Sequence, residues 1–294
     1  MNAAAMHAVV GVIGGSGLYQ MDALQGAQEH AMTTPFGSPS DMVVTGTVHG
    51  VPAAFIARHA RGHKLIPSEV PYRANIHALK QLGVRYVLSF SAVGSLKEEF
   101  KPLDMVLPDQ FIDLTRQRAG TFFGNGAVAH VSMAQPTSAA TRAALAQAVA
   151  HLNSEKNAAV TLHQGATYVC IEGPQFSSLA ESQWYRSMGA GVIGMTNMPE
   201  AKLAREAQMA YATLAMVTDY DCWHPREAHV NASMAIANLM QNAAHAQHIA
   251  AHAIRILGTK LPDCESHSAL AAGLVTPQDA MPEATRTALA PLLR

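Results

Sequence analysis

A chain of 294 residues can bury one substantial core or two small ones. Its 20 basic residues face 21 acidic ones for a net charge of −1, so no basic face invites nucleic acid and a small neutral or weakly anionic ligand is the better fit. The three cysteines, Cys170, Cys222 and Cys264, show neither CxxC nor zinc spacing, which points to reduced thiols in a cytoplasmic protein without a metal site. The start, Met1–Gly15, lacks a cationic region and its apolar run is broken by glycine, so neither a signal peptide nor a membrane span is expected.

In chain order, Ala8–Ile13 is a short apolar, β-branched run ending in Gly14-Gly15-Ser16-Gly17. It reads as a strand whose following loop lets backbone approach a ligand closely, though it is neither GxGxxG nor a Walker loop. Met42–Val48 and Pro52–Ile56 flank His49-Gly50 as a β-hairpin. The second of these strands delivers Arg58-His59-Ala60-Arg61-Gly62-His63, either a solvated turn or an oxyanion site, because the guanidinium fork suits phosphate and an imidazole can add a donor. Pro71 opens a helix with apolar positions at Tyr72, Ile76, Leu79 and Leu82, closed by Gly83. Tyr86–Phe90 is the next strand and runs into a small-residue turn, Ser91–Ser95.

Met105–Leu107 and Phe111–Leu114 read as short strands, Thr121–Gln135 as an irregular segment carrying the lone loop histidine His130, Thr141–Leu152 as a helix and Asn153–Ala159 as a polar connection. Three apolar runs then end in polar tips: Thr167–Ile171 in Glu172-Gly173-Pro174, Val192–Met195 in Thr196-Asn197, and Ala212–Val217 in Thr218-Asp219-Tyr220-Asp221. Short buried runs between helical patterns are parallel strands of an α/β sheet, and ligands bind outside the carboxyl ends of such strands. Asp219 and Asp221, two apart at a strand end, point to one side if the chain stays extended. A long helix covers Asn231–Leu257, in which His245, His248 and His252 lack the carboxylate or cysteine that would make a metal site. Glu283–Leu293 forms a terminal helix, so residues 1–258 read as one domain and 259–294 as a C-terminal extension.

The segments Gly14–Leu18, Ala57–His63, Tyr72–Lys80, Ser91–Leu96, Glu172–Ser178 (EGPQFSS), Gly194–Ala201 (GMTNMPEA) and Asp219–Trp223 (DYDCW) occur in an order that resembles the trimeric purine nucleoside phosphorylases. The resemblance implies a single α/β domain with a central mixed, largely parallel β-sheet flanked by helices. It implies phosphorolysis, with phosphate held by Ser16, Arg58, His59, Ser91, Ala92 and Thr196. Met195 would lie under the ribose, Phe176 and Ser177 at the base, and His130 would reach a neighbour's substrate across a subunit boundary. Asp219 would serve the purine N7 and Asp221 the region of the exocyclic amine, as catalytic carboxylates.

Ser177 and Asp219 match the adenine pattern of the family, which implies 5′-methylthioadenosine as substrate and a place in purine and methionine salvage. A 6-oxopurine nucleoside or methylthioinosine remains the alternative, and a non-catalytic nucleoside sensor a more distant one. No cofactor is expected besides phosphate as co-substrate, no membrane partner, and a homotrimer or a hexamer of trimers. Gly194 and Pro71 depart from the family, where Asn is usual at both.

Overall fold

The computed structural model describes residues 7–227 and 230–294, apart from the side chains of Ser16, Tyr19 and Met234. Within these residues eleven strands form one mixed sheet flanked by helices. Strand β1 (Val10–Gly14) lies between the parallel β4 (Val51–Ala57) and β5 (Tyr86–Ser95), and β4 forms the expected hairpin with β3 (Val43–Val48). Val48 faces Val51 across the turn, and His49 and Gly50 both take positive φ, 49° and 79°, which matches the strand twist in a two-residue hairpin. Strand β2 (Leu24–His30), not foreseen in the sequence because its residues are mostly exposed and polar, adds to the β3 edge.

At β5 the sheet divides. Along one side, β5 pairs with the parallel β11 (Ala210–Asp219), every residue of which is buried. Beyond it lie β6 (Met105–Leu107) and β8 (Leu162–Gln164). Along the other side, β1 pairs only as far as Ser89 of β5, and the antiparallel β10 (Ala190–Gly194) takes over at Gly94 and Ser95. Strands β9 (Thr167–Cys170) and β7 (Gln110–Asp113) continue from β10.

The expected turn at Ser91–Ser95 is therefore strand: its small residues permit a ten-residue β5 that pairs with β11 along nearly its whole length. Helix α1 (Tyr72–Gln81) starts after Pro71 and stops before Gly83 at φ 88°, as its caps predict. Helix α2 (Ala139–Lys156) overruns the expected polar connection by one turn, because Asn157 in the left-handed region ends it. Helices α3 (Leu179–Ser187) and α4 (Asn197–Glu206) follow β9 and β10, and α5 (Ala232–Lys260) packs along β4, β5 and β11. The chain closes with α6 (Ala269–Gly273) and α7 (Glu283–Leu289), shorter than the terminal helix expected. Met281, Leu289 and Leu292 of this last stretch are buried in the same apolar cluster as Ile76 and Leu79 of α1 and Leu203 of α4.

The second half of α5 buries Ala246, Ile249, Ala250, Ala253, Ile254 and Leu257 in the other large cluster. Gly258 allows the closest approach there, since a Cβ on it would stand 2.6 Å from Cγ2 of Val51. Gly258→Ala would gain about 1 kcal/mol of helix propensity. Overpacking against the start of β4 costs about 1–3 kcal/mol, so the net expectation is a lower midpoint of thermal unfolding. A midpoint equal to or above that of the natural protein would show that α5 can slide off β4 without loss.

Candidate active site

The division of the sheet makes the site. Between Ser89, the last residue of β5 paired to β1, and Gly94, the first paired to β10, residues Phe90–Val93 have one edge without a strand partner among the described residues. This open edge carries backbone groups that no ladder uses, and it lies at the carboxyl ends of β1, β4 and β11, where α/β sheets bind ligands. The β10 register sets Ile193 opposite Gly94 and runs antiparallel, so Met195 and Thr196 are carried back past Ala92 and Ser91. The result is a cavity of 790 Å³. Arg58, His59, Ser91, Ala92, Phe176, Ser177, Met195, Thr196, Asp219 and Asp221 all line it. Gly15 and Gly17 line it too, while the side chain of Ser16 between them lies outside the described residues. His130 is exposed and not part of the cavity wall of its own chain.

Arg58 follows β4 and is only 3% exposed. Its Nε and Nη2 donate to both carboxylate oxygens of Glu200 on α4 (2.8 and 3.0 Å), Nη2 also to Ser89 Oγ (2.7 Å), and Nη1 to Phe90 O (2.9 Å). Burial by itself would lower its proton affinity, but the adjacent Glu200 more than offsets that, and the guanidinium is held charged. The fork expected to face phosphate is thus turned onto Glu200, leaving one Nη1 proton uncommitted among the described residues.

Glu200 also accepts from Ser89 Oγ (2.8 Å) and Tyr211 Oη (2.9 Å). Asn197 donates to Ser89 Oγ (3.3 Å) and Tyr211 Oη (2.5 Å), and its Oδ1 accepts the Ser91 hydroxyl (3.0 Å). The proton of Ser91 is spent inside this network, so its oxygen reaches the cavity as an acceptor.

His59 also differs from its expected role as a donor. Its Nδ1 donates to Leu65 O (2.8 Å), and burial, followed by the Arg58 charge, lowers its pKa to about 4. The ring is neutral near pH 7, and its Nε2 carries a lone pair, suited to a hydroxyl or a protonated phosphate oxygen. His63 stacks on it at 4.3 Å and lines the cavity, whereas Arg61 turns away to Glu29 at 2.8 Å and Asp41 at 3.4 Å.

The two aspartates converge by a different route from that expected. A register shift between Val217 and Asp219 places Asp219 opposite Gly94, and β11 ends there. Asp221 is not on an extended strand: it has φ 52°, and its N–H donates to Asp219 Oδ1 (2.8 Å), closing an Asx turn. A Cβ on Gly94 would stand 2.9 Å from Asp219 Oδ1, so only glycine leaves space for this carboxyl. Asp219 is 4% exposed and, among the described residues, has no cationic partner and is bonded besides only to the Thr218 hydroxyl (2.6 Å). Burial outweighs those two donors and raises its pKa to about 6. Burial also raises Asp221, whose Oδ2, like Ser177 Oγ beside it on the cavity wall, makes no hydrogen bond among the described residues.

The third polar tip behaves otherwise. Glu172 is not on the cavity wall: its carboxylate accepts from the Ser68 hydroxyl, the backbone N–H groups of Arg116 (2.5 Å) and Gln117 (3.1 Å), and Arg118 Nε (3.1 Å). Burial opposes ionisation, but these donors win and hold its pKa near about 2. Arg118 also donates to the carbonyls of Met195 (2.6 Å), Met198 (2.6 Å) and Glu172 (2.7 Å), and so ties the tips of β9 and β10 together.

Sequence reading missed Arg118, since nothing local marks one arginine in an irregular stretch. Glu200 lies within the GMTNMPEA motif, where the sequence alone assigns it no role. It also missed the face of α5 that closes the cavity, formed by Ala235, Ile236, Leu239 and Met240.

Removing one partner of the buried pair should be costly. Glu200→Ala strands a charge and is expected to lose about 3–5 kcal/mol of unfolding free energy, read by chemical denaturation. The Arg58→Leu/Glu200→Leu pair should lose less than the sum of the two single leucine changes. Strict additivity would mean that the two side chains do not interact.

Residues 9–255 match the sequence model of the phosphorylase superfamily. An S-methyl-5′-thioadenosine phosphorylase of Synechocystis sp. is 54% identical over 292 residues, covering 99% of this chain and 89% of that protein. The crystal structure of a methylthioadenosine phosphorylase from an Antarctic soil metagenomic library superposes with a TM-score of 0.94 at 57% identity, covering 98% of this chain and all of that one. The methylthioadenosine phosphorylase of Schistosoma mansoni in complex with adenine gives 0.83 at 36% identity, over 90% and 98% of the two chains. With its divided sheet, its cavity at the strand ends and these relatives along almost its full length, the chain belongs to the phosphorylase superfamily.

Proposed function

We propose that this cavity performs phosphorolysis of 5′-methylthioadenosine, releasing adenine and 5-methylthioribose 1-phosphate in purine and methionine salvage. The observation that carries the reading is the pairing, in one cavity, of an open strand edge beside an arginine with a buried carboxyl group raised to about 6. Relatives named for this substrate and a neighbour binding adenine support it. Phosphate lies along Ser91 and Ala92, where it meets the loop of Ser16, the remaining Arg58 N–H, His59 and Thr196. His59 accepts from a phosphate O–H, and the sugar rests on Met195.

A phosphate oxygen bonds to C1′ as the C1′–N9 bond breaks, so no covalent protein nucleophile is required. The electron pair leaves on the purine, and Asp219 donates its proton to N7 and ends ionised, to be reprotonated from solvent. Thr218 relays no charge but can accept from the protonated Asp219 while donating to Val93 O at 3.2 Å. Asp221 Oδ2 and Ser177 Oγ, each without a hydrogen bond of good geometry among the described residues, accept from and donate to the base edge, and Phe176 packs on its face. The apolar face of α5 receives the methylthio group. His130, exposed and not on the wall of its own cavity, serves a neighbour in a homotrimer or a hexamer of trimers. We place the enzyme in the cytoplasm, with phosphate as co-substrate and no other cofactor.

Asp219→Asn tests the acid. An amide cannot transfer a proton, so kcat/KM should fall by about 10²–10⁴-fold. Because the folded pKa of about 6 lies above the ordinary 3.8, the natural enzyme loses its acid as pH rises through 6. Its kcat/KM should therefore decline above that pH with a limb that the Asn variant lacks. Stability has the same sign: whatever Asp219 contributes is fully present below about 3.8 and is lost as pH rises through about 6. Products decide the reaction itself, because base release without phosphate, giving free methylthioribose, would make this a hydrolase. Faster turnover of methylthioinosine than of methylthioadenosine would overturn the adenine assignment.

A further inference from the structure

Two parts of the cavity wall belong to segments that no strand pairing joins directly: the loop after β4, with His59, His63 and Pro67, and the tip of β10, with Met195 and Thr196. The Arg58–Glu200 pair joins the start of that loop to α4. A second set of bonds, made by residues off the cavity wall, joins its far end to the β10 tip. The centre of this set is Arg118, whose side chain is 1% exposed. Its Nη1 donates to Met195 O and Met198 O, both at 2.6 Å, and these carbonyls flank Thr196. The same Nη1 donates to Tyr72 Oη (3.2 Å), which donates in turn to Pro67 O (3.0 Å). Its Nε donates to Glu172 Oε1 (3.1 Å), the oxygen that also accepts the Ser68 hydroxyl. The guanidinium thus holds the tip directly and the loop through Tyr72 and Glu172.

We propose that Arg118 is a positioning residue for phosphate, setting the spacing between the His59 loop and the Met195–Thr196 tip from outside the cavity. The proposal rests on the phosphate position assigned above. Strand β10 ends at Gly194, so the carbonyls of Met195 and Met198 lie beyond its ladder and need another partner to fix them. A buried guanidinium is costly unless it is paired and its donors are used. Here one carboxylate pairs it, and the rest of the fork is used on backbone carbonyls and a hydroxyl that belong to the segments around the cavity. Because the fork is planar and its donors point in fixed directions, acceptors on the two sides are held at one mutual distance. An ammonium on a flexible stem cannot do this. Glu172, held near about 2, stays ionised through the whole neutral range, so the pair and the spacing it sets persist there. Such spacing matters because a misplacement of about 1 Å at a reacting group can cost about 10²-fold in rate.

Arg118→Lys keeps the charge and loses the fork. At a temperature well below the thermal midpoints of both proteins, its kcat/KM for phosphate should fall by about 10²-fold, the scale of a 1 Å misplacement. A lower midpoint with kcat/KM for phosphate unchanged in the folded variant would make Arg118 merely structural and overturn the proposal. Tyr72→Phe removes one oxygen, cutting the link to Pro67 while leaving Arg118 on Met195 and Met198, and it decides the matter even where Arg118→Lys does not fold. Its KM for phosphate should rise about threefold, within what one neutral hydrogen bond supplies, and its KM for the nucleoside should stay within about twofold. An unchanged phosphate KM, or a nucleoside KM that rises as much, would overturn the proposal. Where both variants fold, Tyr72→Phe should cost less in the Arg118→Lys background than alone, because the link it cuts is already lost, and an equal cost would count against the coupling. If the natural protein releases base without phosphate, the reaction assigned above fails instead. The rise in thermal midpoint with added inorganic phosphate then still judges Arg118: it should need more phosphate in Arg118→Lys, or in Tyr72→Phe, than in the natural protein, and no difference would overturn the proposal.

Discussion

The structure depends on one buried ion pair, Arg58 with Glu200, at 3% and 1% exposure. Two charges so far from water are tolerable only when each is paired and its remaining hydrogen-bonding capacity is used. The donors and acceptors that do this come from separate elements: Arg58 after β4, Ser89 and Phe90 from the middle of β5, Asn197 and Glu200 from the start of α4, Tyr211 from the start of β11. Satisfying the pair therefore fixes those elements relative to one another. It also accounts for the division of the sheet, since the Arg58 guanidinium bonds Phe90 O where β1 stops pairing with β5. The open edge beside it is held open by a structural arginine, whose remaining Nη1 proton is all the guanidinium has to offer a ligand there.

Three carboxylates around the site meet different sets of partners. Glu200 meets a bidentate guanidinium and two hydroxyls. Glu172 meets a hydroxyl, two backbone N–H groups and Arg118, and is held at about 2. Asp219 meets one hydroxyl and one backbone N–H with no cation, and rises to about 6. Burial pushes Glu172 and Asp219 alike toward the protonated form, so donor count and the presence of a cation decide which of these two stays ionised. Of these two, Asp219 is the one raised toward neutrality, and it lines the cavity.

The sequence was most legible where the signal is local. The His49-Gly50 hairpin, the Pro71 and Gly83 limits of α1 and the polar tips after β10 and β11 all rest on short-range stereochemistry, and they stand in the fold. What it hid is set by tertiary partners. The run Ser91–Ser95 has turn-like composition, yet β11 and β10 make it strand. Asp219 and Asp221 converge through a positive-φ turn and not through strand alternation. Glu172 resembled its neighbours as a polar tip until Arg118, distant in sequence, turned it away from the cavity. The direction in which the Arg58 fork points is likewise decided by Glu200, 142 residues along the chain.

Helix α5 shows how a packing requirement becomes part of a site. Its second half is locked into the core by Ile249, Ile254 and Leu257, all fully buried, and Gly258 admits it against β4. Its first half leaves Ile236 at 56% and Met240 at 72% exposure on the cavity side. Such exposure is costly in water, and burial of these side chains against an apolar group would recover roughly 25 cal/mol per Å². Two polar ties keep the helix in register with the chemistry: Asn238 donates to Thr218 O at 2.6 Å, next to Asp219, and Gln247 to Gly17 O at 2.7 Å, in the glycine loop. The helix is thus bonded to both ends of the cavity and anchored behind it, so an apolar substituent bound on its face is held at a fixed distance from the open edge of β5 and from Asp219. That coupling lets binding energy from a non-reacting group be used to position the reacting ones.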